Sequence, residues 1–367
     1  MAENILSVNE LKIDFSTNEG TVHALRGVSF SLAPEEVLGI VGESGSGKSV
    51  TALAAIGLLA SNATVTGSIE FDGIDLLKLK EKKFSTVRGQ SIAMIFQDPL
   101  TSLNPVYKVG WQVAEAVRAH QNISKDEAKT EAIRLLQLVG IPFADQRVDN
   151  YPHEFSGGMR QRVVIAIAMA NNPRVILADE PTTALDVTVQ AQVLSTLKTA
   201  LEETRASLIM ITHDLGVIAG LANRVLVMYA GRVVEIGSVE DIFYRPSMPY
   251  THGLLGSVPR VDDDGGKRLR QIPGSPPSMV GERRGCPFAP RCPMRADICS
   301  EQEPELRSVN FQPVKGATTA ADGSPERGAG RHDANHQSAC HFADQVASMP
   351  LASMFPETSA DQEVPPS

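Results

Sequence analysis

Two glycine-rich segments of the sequence have the residue types that bind phosphate groups. Residues 42–49, G-E-S-G-S-G-K-S, match the pattern G-x-x-x-x-G-K-[ST] and follow the short apolar run V-L-G-I-V. Such glycines let backbone N–H groups converge on phosphate oxygens, while the lysine reaches the β- and γ-phosphates and the final serine binds Mg²⁺. The pattern predicts a strand, a phosphate loop and a helix whose positive end faces the same anion. The residues expected to bind nucleotide here are Gly42, Ser44, Gly45, Gly47, Lys48 and Ser49.

The second segment, residues 155–162, reads F-S-G-G-M-R-Q-R and opens a helical pattern. The hydroxyl of Ser156, the N–H groups of Gly157 and Gly158 and the helix dipole together form an anion site. A chain that already has a phosphate loop does not need a second such surface for its own nucleotide. We therefore expect this segment to bind the nucleotide held by another subunit.

Two carboxylates, Asp179 and Glu180, end another apolar run, V-I-L-A. Asp179 is placed to hold Mg²⁺, directly or through water, as in other phosphate-loop enzymes. Glu180 is placed to orient the attacking water as a general base. Together with the phosphate loop, this pair predicts that the nucleotide is hydrolysed.

Composition limits what kind of protein this is. The chain has 367 residues, of which 42% are hydrophobic and 21% charged, so it can bury a large core in roughly two domains. Its net charge of -9 argues against nucleic-acid binding, which needs a basic surface. No apolar run approaches the ~18 residues of a membrane-spanning helix, and the N-terminus does not resemble a signal peptide. We expect a cytosolic protein that reaches a membrane only through a partner.

The order of strand and helix patterns predicts an α/β core with a mainly parallel sheet. A helical insert lies between Gln97 and Ser156, and residues 124–127 (S-K-D-E) predict a capping box that begins one of its helices. After residue 245 the sequence becomes rich in proline and glycine. We therefore predict a nucleotide domain over residues 1–245, a cysteine-bearing extension over 246–345 and a disordered tail over 346–367.

These segments, in this order, resemble the nucleotide-binding subunits of ABC transporters. The phosphate loop is followed by Gln97, the Ser-Gly-Gly segment and Asp179-Glu180, and then by A-L-D at 184–186 and His213. The resemblance implies a P-loop, RecA-like domain with an antiparallel β subdomain. It also implies an inserted helical subdomain at about residues 98–160 and a small loop-rich C-terminal extension.

The resemblance also implies a role for each matching residue. Glu180, His213 and Gln97 would form the catalytic set, with His213 bonded to the γ-phosphate and to Glu180. Gln97 would contact Mg²⁺, alongside Ser49 and Asp179, and would link the site to membrane subunits. At the remaining family positions, Phe15 would stack on adenine and Asp186 would face a dimer partner. Ser156, Gly157 and Gly158 would close on the partner's ATP.

Several segments narrow the resemblance to oligopeptide and dipeptide importers. They are D-P-L-T-S-L-N-P at 98–105, P-Y-T at 249–251, G-C-P-F at 285–288 and R-C-P at 291–293. Nickel importers share this branch, so peptide is favoured and nickel stays an alternative. The implied partners are a related but different nucleotide-binding subunit, two transmembrane permease subunits at the cytoplasmic face of the membrane and, indirectly, an extracytoplasmic peptide-binding protein. A soluble ABC ATPase that remodels ribosomes or DNA and a regulatory subunit with little hydrolysis are the other hypotheses.

The four cysteines, Cys286, Cys292, Cys299 and Cys340, all lie in the last quarter of the chain. In a cytosolic protein such a cluster favours metal binding over disulfides. The spacing C-x5-C-x6-C is looser than that of common zinc modules. Resemblance to the peptide-importer branch implies a [4Fe–4S] cluster with a structural role. The alternatives are Zn²⁺, with His341, His336 or His332 in place of a thiolate, and four unliganded thiols.

Overall fold

The computed structural model describes residues 4–183, 185–257, 271–281, 284–309, 336–350 and 354–355. Ala184, His332 and most of the predicted tail therefore lie outside the described residues. Of the tail residues that are described, Val346, Met354 and Phe355 are buried against the main core. None of the helices in these ranges has the length and apolar character that a bilayer crossing requires.

Strands of the described chain form two sheets. The first is antiparallel, with the order β2-β1-β4-β5, and the second has the order β11-β12-β10-β9-β3-β8-β7-β6. In the second sheet β9, β3, β8, β7 and β6 are parallel neighbours. The strands are β1 Leu6–Thr17, β2 Gly20–Leu32, β3 Val37–Val41, β4 Ala63–Phe71, β5 Ile74–Asp75, β6 Ile92–Ile95, β7 Val175–Asp179, β8 Ser207–Ile211, β9 Arg224–Tyr229, β10 Arg232–Ser238, β11 Arg307–Ser308 and β12 Gln337–Ser338.

The parallel strands are short and apolar because helices and the antiparallel sheet cover both of their faces. Every residue of β7 and β8 is buried. In register, Asp179 lies beside Ile211, and Ile211 lies beside Ile40. Since these strands point the same way, the loops that follow β3, β7 and β8 emerge at one edge of the sheet. We call this edge the catalytic edge.

Helices account for most of the remaining regular structure. Three of them, α4, α5 and α7, pack together in the inserted subdomain around Val113, Leu136 and Val163. The predicted capping box at the start of α5 is present, with Ser124 and Glu127 bonded to each other's backbone. The helices are α1 Lys48–Ala55, α2 Glu81–Val87, α3 Pro99–Ser102, α4 Val109–Arg118, α5 Lys125–Leu138, α6 Ala144–Arg147, α7 Gly157–Met169, α8 Val187–Thr204, α9 Leu215–Leu221, α10 Val239–Tyr244, α11 Pro249–Gly256, α12 Asp297–Glu301 and α13 Ala343–Val346.

The C-terminal extension shares its core and its sheet with the nucleotide domain. Tyr250 and Phe288, both fully buried, pack against Tyr229 at the end of β9, with ring centroids 4.5 and 5.4 Å from that of Tyr229. Strand β12 pairs with β10, and β11 pairs with β12. The extension is therefore built onto the edge of the main sheet, and it adds only a small cluster of its own, formed by Val309, Ala343 and Ala347.

Candidate active site

The loop between β3 and α1 requires glycine at two positions for steric reasons. A Cβ at Gly42 would lie 2.2 Å from the carbonyl oxygen of Met228, and φ at Gly42 is 153°. A Cβ at Gly47 would lie 2.5 Å from Leu25 Cδ2 and 2.8 Å from the carbonyl oxygen of Ala24. Helix α1 begins directly afterwards, at Lys48. The loop, its glycines and the helix start therefore have the arrangement that binds phosphate.

Lys48 is buried, and its ammonium group turns back onto the loop itself. Its Nζ donates to the carbonyl oxygens of Gly42, at 2.8 Å, and Glu43, at 2.9 Å. Burial lowers the pKa of Lys48 below its ordinary value, against the raising effect of Glu180 and Asp179. A phosphate group would supply the counter-charge that this desolvated ammonium lacks.

Ser49 and Asp179 meet across the gap between α1 and β7. The Ser49 hydroxyl donates to Asp179 Oδ1 at 3.0 Å. Burial raises the pKa of Asp179, and the hydrogen bond from Ser49 offsets only part of this effect. A hydroxyl and a desolvated carboxylate at this distance are hard oxygen ligands of the kind that Mg²⁺ prefers. These two residues therefore fit a magnesium ion.

Glu180 is the point on which three side chains converge. Its Oε2 accepts hydrogen bonds from Gln97 Nε2, at 3.0 Å, and Thr183 Oγ1, at 2.9 Å. Its Oε1 lies 3.2 Å from His213 Nδ1. Burial acts to raise the pKa of Glu180, but the hydrogen bonds from His213 and Thr183 outweigh it and leave the pKa lowered. The carboxylate is thus ionised at neutral pH and can accept a proton from water.

The backbone holds Glu180 in an unusual conformation. Its φ is 47°, in the left-handed region, and its N–H donates to the carbonyl oxygen of Ile211 at 2.8 Å. This bond ties the residue after β7 to the end of β8, from which His213 follows two residues later. Gln97 likewise follows β6, two residues after its end at Ile95. The sheet therefore positions all three members of the predicted catalytic set.

Gln97 uses its amide nitrogen in the contact with Glu180. The sequence predicts a contact between Gln97 and Mg²⁺, for which the amide oxygen is the available type of ligand atom. Thr183 was not among the residues predicted from the sequence. The signal that could have found it is its spacing, because a threonine three residues after a carboxylate at a turn can bond back to it.

The Ser-Gly-Gly segment begins α7. Ser156 is exposed and caps the helix, with its hydroxyl accepting from the Met159 N–H at 3.4 Å. A Cβ at Gly158 would lie 2.3 Å from Val189 Cγ1, so the close packing of α7 on α8 requires glycine there. Within the described residues, no hydrogen bond joins this segment to residues 42–49. The start of α7 is therefore not hydrogen-bonded to the phosphate loop of the same chain.

Two other predicted site residues, Asp186 and Phe15, have contacts within the chain itself. Asp186 is the N-cap of α8, and its side chain accepts from the Val189 N–H at 3.0 Å. Phe15 is half-buried near the end of β1, opposite Val22 of β2. The proposed contacts of Asp186 with a dimer partner and of Phe15 with adenine stay predictions.

The four cysteines line one small cavity together with Phe288 and His341. All four are free thiols. Burial raises the pKa of Cys286, that of Cys292 to about 11 and that of Cys340 to about 12. Among the described residues, no group of three or more Cys, His, Asp or Glu side chains has the geometry to hold a metal ion.

Two of the histidines named as zinc alternatives have other partners. His336 Nε2 lies 2.8 Å from Glu235 Oε1, and both side chains are fully buried. His341 lines the cysteine cavity, but its Nε2 lies 3.0 Å from the carbonyl oxygen of Gln302. The prediction for His336 is therefore wrong, because its ring is held against β10.

Comparison with known proteins agrees with this geometry. Residues 25–183 match the ABC transporter family, and residues 234–299 match the C-terminal region of oligopeptide and dipeptide transporters. The oligopeptide transport ATP-binding protein OppD of Salmonella typhimurium is 52% identical over 86% of this chain and 95% of its own length. The chain belongs to the ABC transporter family. Within it, the chain falls in the oligopeptide and dipeptide importer branch.

Further relatives support the same ABC ATPase assignment. The dipeptide transport ATP-binding protein DppD of Bacillus subtilis is 53% identical over 82% of this chain and 90% of its own length. Among solved structures, a dimeric ATP-binding cassette in a post-hydrolysis state with ADP and Pi aligns with a TM-score of 0.57. It is 26% identical and covers 64% of this chain and 98% of its own. The predicted fold class and the predicted ATPase activity are confirmed.

Proposed function

We propose that this ABC ATPase is the motor subunit of a membrane-bound peptide importer. The observation that carries the motor assignment is the convergence of Gln97, Thr183 and His213 on the ionised Glu180, beside the Ser49–Asp179 pair. An ABC subunit that only bound nucleotide would not need a carboxylate held in this way. Similarity to oligopeptide and dipeptide transport proteins over more than four fifths of the chain supports peptide as the solute.

The residues divide the work of hydrolysis as follows. The loop N–H groups and Lys48 bind the phosphates of ATP, and Ser49 and Asp179 would hold Mg²⁺. When bound, the ion neutralises charge on the β- and γ-phosphate oxygens. Glu180 orients a water molecule for in-line attack on the γ-phosphorus and takes its proton as the bond to ADP breaks. His213 and Gln97 keep the Glu180 carboxylate in place, and His213 can also donate to the γ-phosphate.

The second anion site supports a shared arrangement of two subunits. Ser156, Gly157 and Gly158 would close on the ATP of a second nucleotide-binding subunit, a related but different chain, while Asp186 faces that partner. Closing and opening of this pair would move two permease subunits that dock near Gln97 and the helical subdomain, at the cytoplasmic face of the membrane. A separate extracytoplasmic peptide-binding protein would deliver the solute.

Transport by the reconstituted complex tests this proposal. Uptake of labelled di- and oligopeptides should require ATP and should be lost in the Glu180→Gln complex. Unchanged peptide uptake by that complex would exclude the motor role. ATP-dependent uptake of Ni²⁺ in place of peptide would instead assign the chain to a nickel importer, and this is the reason to run both solutes side by side.

We also propose that the four cysteines form one metal site, with a [4Fe–4S] cluster as its occupant. The shared cavity supports the site, because residues 286, 292, 299 and 340 come together although up to 54 positions separate them. Four thiolates suit either an iron–sulfur cluster or Zn²⁺. Anaerobically purified protein should be brown, with iron and sulfide in equal amounts. Colourless protein with stoichiometric zinc would reject the cluster.

A further inference from the structure

A residue of the phosphate loop is held by the C-terminal extension. Arg291 donates two hydrogen bonds to the Glu43 carboxylate, from Nη1 to Oε2 at 2.7 Å and from Nη2 to Oε1 at 2.9 Å. The Arg291 side chain is 6% exposed and that of Glu43 is 25% exposed. This is a bidentate pair largely shielded from solvent, the geometry in which an arginine fixes a carboxylate most firmly.

The guanidinium is itself fixed on all sides. Its Nε donates to the carbonyl oxygen of Pro273 at 2.9 Å, and Nη1 also donates to the Tyr229 hydroxyl at 3.2 Å. The backbone of Arg291 belongs to a tight turn in which its N–H donates to Phe288 and the Cys292 N–H donates to Ala289. The same turn lines the cysteine cavity. The Arg291 guanidinium is therefore held both by the extension, through Pro273, and by β9, through Tyr229.

The backbone of Glu43 is held by the extension as well. Its N–H donates to the hydroxyl oxygen of Tyr250 at 2.7 Å, and Tyr250 is fully buried in α11. Side chain and main chain of this loop residue are thus both bonded to residues beyond position 245. We call Tyr250 and Arg291 together the loop clamp.

Glu43 would work against nucleotide binding if it were left alone. It lies between Gly42 and Ser44, in a loop whose N–H groups and lysine attract phosphate. A carboxylate there repels the phosphates, and its partial burial weakens the screening by water. The Glu43 carbonyl oxygen also accepts from Lys48, so displacement of this residue would disturb the lysine.

We infer that Arg291 is a positioning residue for ATP that neutralises the Glu43 carboxylate, while the Tyr250 hydroxyl holds the Glu43 backbone. The extension also touches the hairpin that carries Phe15, where Met279 accepts from the His23 N–H and Val280 bridges to Val22. It therefore contacts both the phosphate loop and the β1–β2 hairpin. The inference rests on the nucleotide site and is independent of which solute is transported.

The test is MgADP binding to the full chain, measured by titration calorimetry, because ADP is not hydrolysed. Arg291→Met should raise the dissociation constant about tenfold or more, since it leaves a partly buried carboxylate unpaired next to the phosphates. The double variant Glu43→Gln with Arg291→Met should bind within about threefold of the unaltered chain, because the repulsion is gone. Rescue of this kind is not expected if Arg291 only stabilises the fold.

A matched control breaks a different contact between extension and core. The Glu303 carboxylate pairs with Arg26 and Arg232 and, within the described residues, makes no hydrogen bond to residues 42–49, and Glu303→Gln should leave MgADP affinity unchanged. If Arg291→Met does not fold, the MgADP affinity of the single variant Glu43→Gln tests the inference. That variant should bind MgADP as tightly as the unaltered chain or more tightly. Unchanged affinity in folded Arg291→Met, no rescue by the double variant, or tenfold weaker binding in Glu43→Gln would each overturn the inference.

Discussion

The catalytic edge and the cysteine cavity each bring reactive side chains together, but they differ in whether those side chains are already bonded to one another. At the edge, Ser49 already bonds to Asp179, and three donors already bond to Glu180. Around the cavity, four thiols face one space, yet within the described chain they do not form a metal-binding group. The first site is built mainly from residues at or just after strand ends, with Ser49 at the start of α1, and the second from loops, turns and the short helix α12, which contains Cys299. Strand-borne side chains are positioned before the ligand arrives, whereas turn-borne ones depend on the ligand for their final order.

The largest expected effect concerns the catalytic edge. Glu180→Gln removes the proton acceptor while keeping its shape, so the ATPase rate should fall about 10³-fold. MgADP affinity and the metal content of the cysteine site should stay as they are, because the strands still position the other residues. Phosphate release and calorimetry measure the two quantities. Glu202→Gln, at an exposed position of α8, is the matched control, and a residual rate within tenfold of the original would contradict the assignment.

Gly42→Ala tests how rigid the catalytic edge is. The added methyl group would meet the Met228 carbonyl oxygen at 2.2 Å, a backbone atom that β9 holds in place. We expect the free energy of unfolding to fall by about 3 kcal/mol and nucleotide binding to be lost. Gly45→Ala is the control, because nothing lies within 4 Å of its added Cβ, and it should cost only about 1–2 kcal/mol for its left-handed backbone. Chemical denaturation measures the free energy of unfolding of both variants. Equal losses of stability would show that the catalytic edge can shift to accommodate the added methyl group.

Cys292→Ser tests whether the cysteine cavity depends on a metal for its order. If the turns around the cavity take their order from a metal, this change should lower the metal content and the free energy of unfolding, the latter by about 2 kcal/mol. Limited proteolysis should then cut the extension faster. MgADP affinity should weaken roughly threefold, because Cys292 follows Arg291 directly in the turn that supports the loop clamp. Ser300→Ala, at an exposed neighbour of Cys299, serves as the control. A Cys292→Ser protein that lacks the metal but resists proteolysis as well as the unaltered chain would contradict the idea that the metal orders these turns.

The smallest expected effect concerns one hydrogen bond. Thr183→Val removes a donor that helps to lower the pKa of Glu180. The pKa should rise, so the acid limb of the ATPase pH profile should move to higher pH, and the rate at neutral pH should fall about fivefold. Thr199→Val, whose hydroxyl bonds only to a helix carbonyl, should leave the profile in place. An acid limb at the same pH in both variants would argue that Thr183 does not act on Glu180.

Much of the catalytic edge could be predicted because its residues are tied to local patterns. The glycines around Lys48, the acidic pair at the end of β7 and the histidine after β8 each come with an apolar run that is typical of a buried strand. Parallel strands bring such ends together without any further information. The position of the site therefore follows from periodicity and from a handful of residue types.

The loop clamp could not be predicted in this way. Glu43 and Arg291 are 248 positions apart, and Glu43 occupies a position of the phosphate-loop pattern at which any residue is allowed. Their contact depends on how the extension packs against Tyr229, which no local pattern encodes. The same holds for His336, whose buried bond to Glu235 spans 101 positions. Its residue type suggested a metal ligand, and only tertiary packing reveals its actual partner.

The pairing of β12 with β10 has a consequence for how copies of this protein behave towards one another. Strand β10 has seven residues, of which the central five are buried, and its outer N–H and C=O groups would offer a template for another chain's strand. Two-residue strands, β12 and then β11, lie over this side instead. Strands this short cannot propagate pairing far, so the sheet ends there. The extension thus protects the protein against edge-to-edge aggregation. This protection depends on neither bound nucleotide nor bound metal.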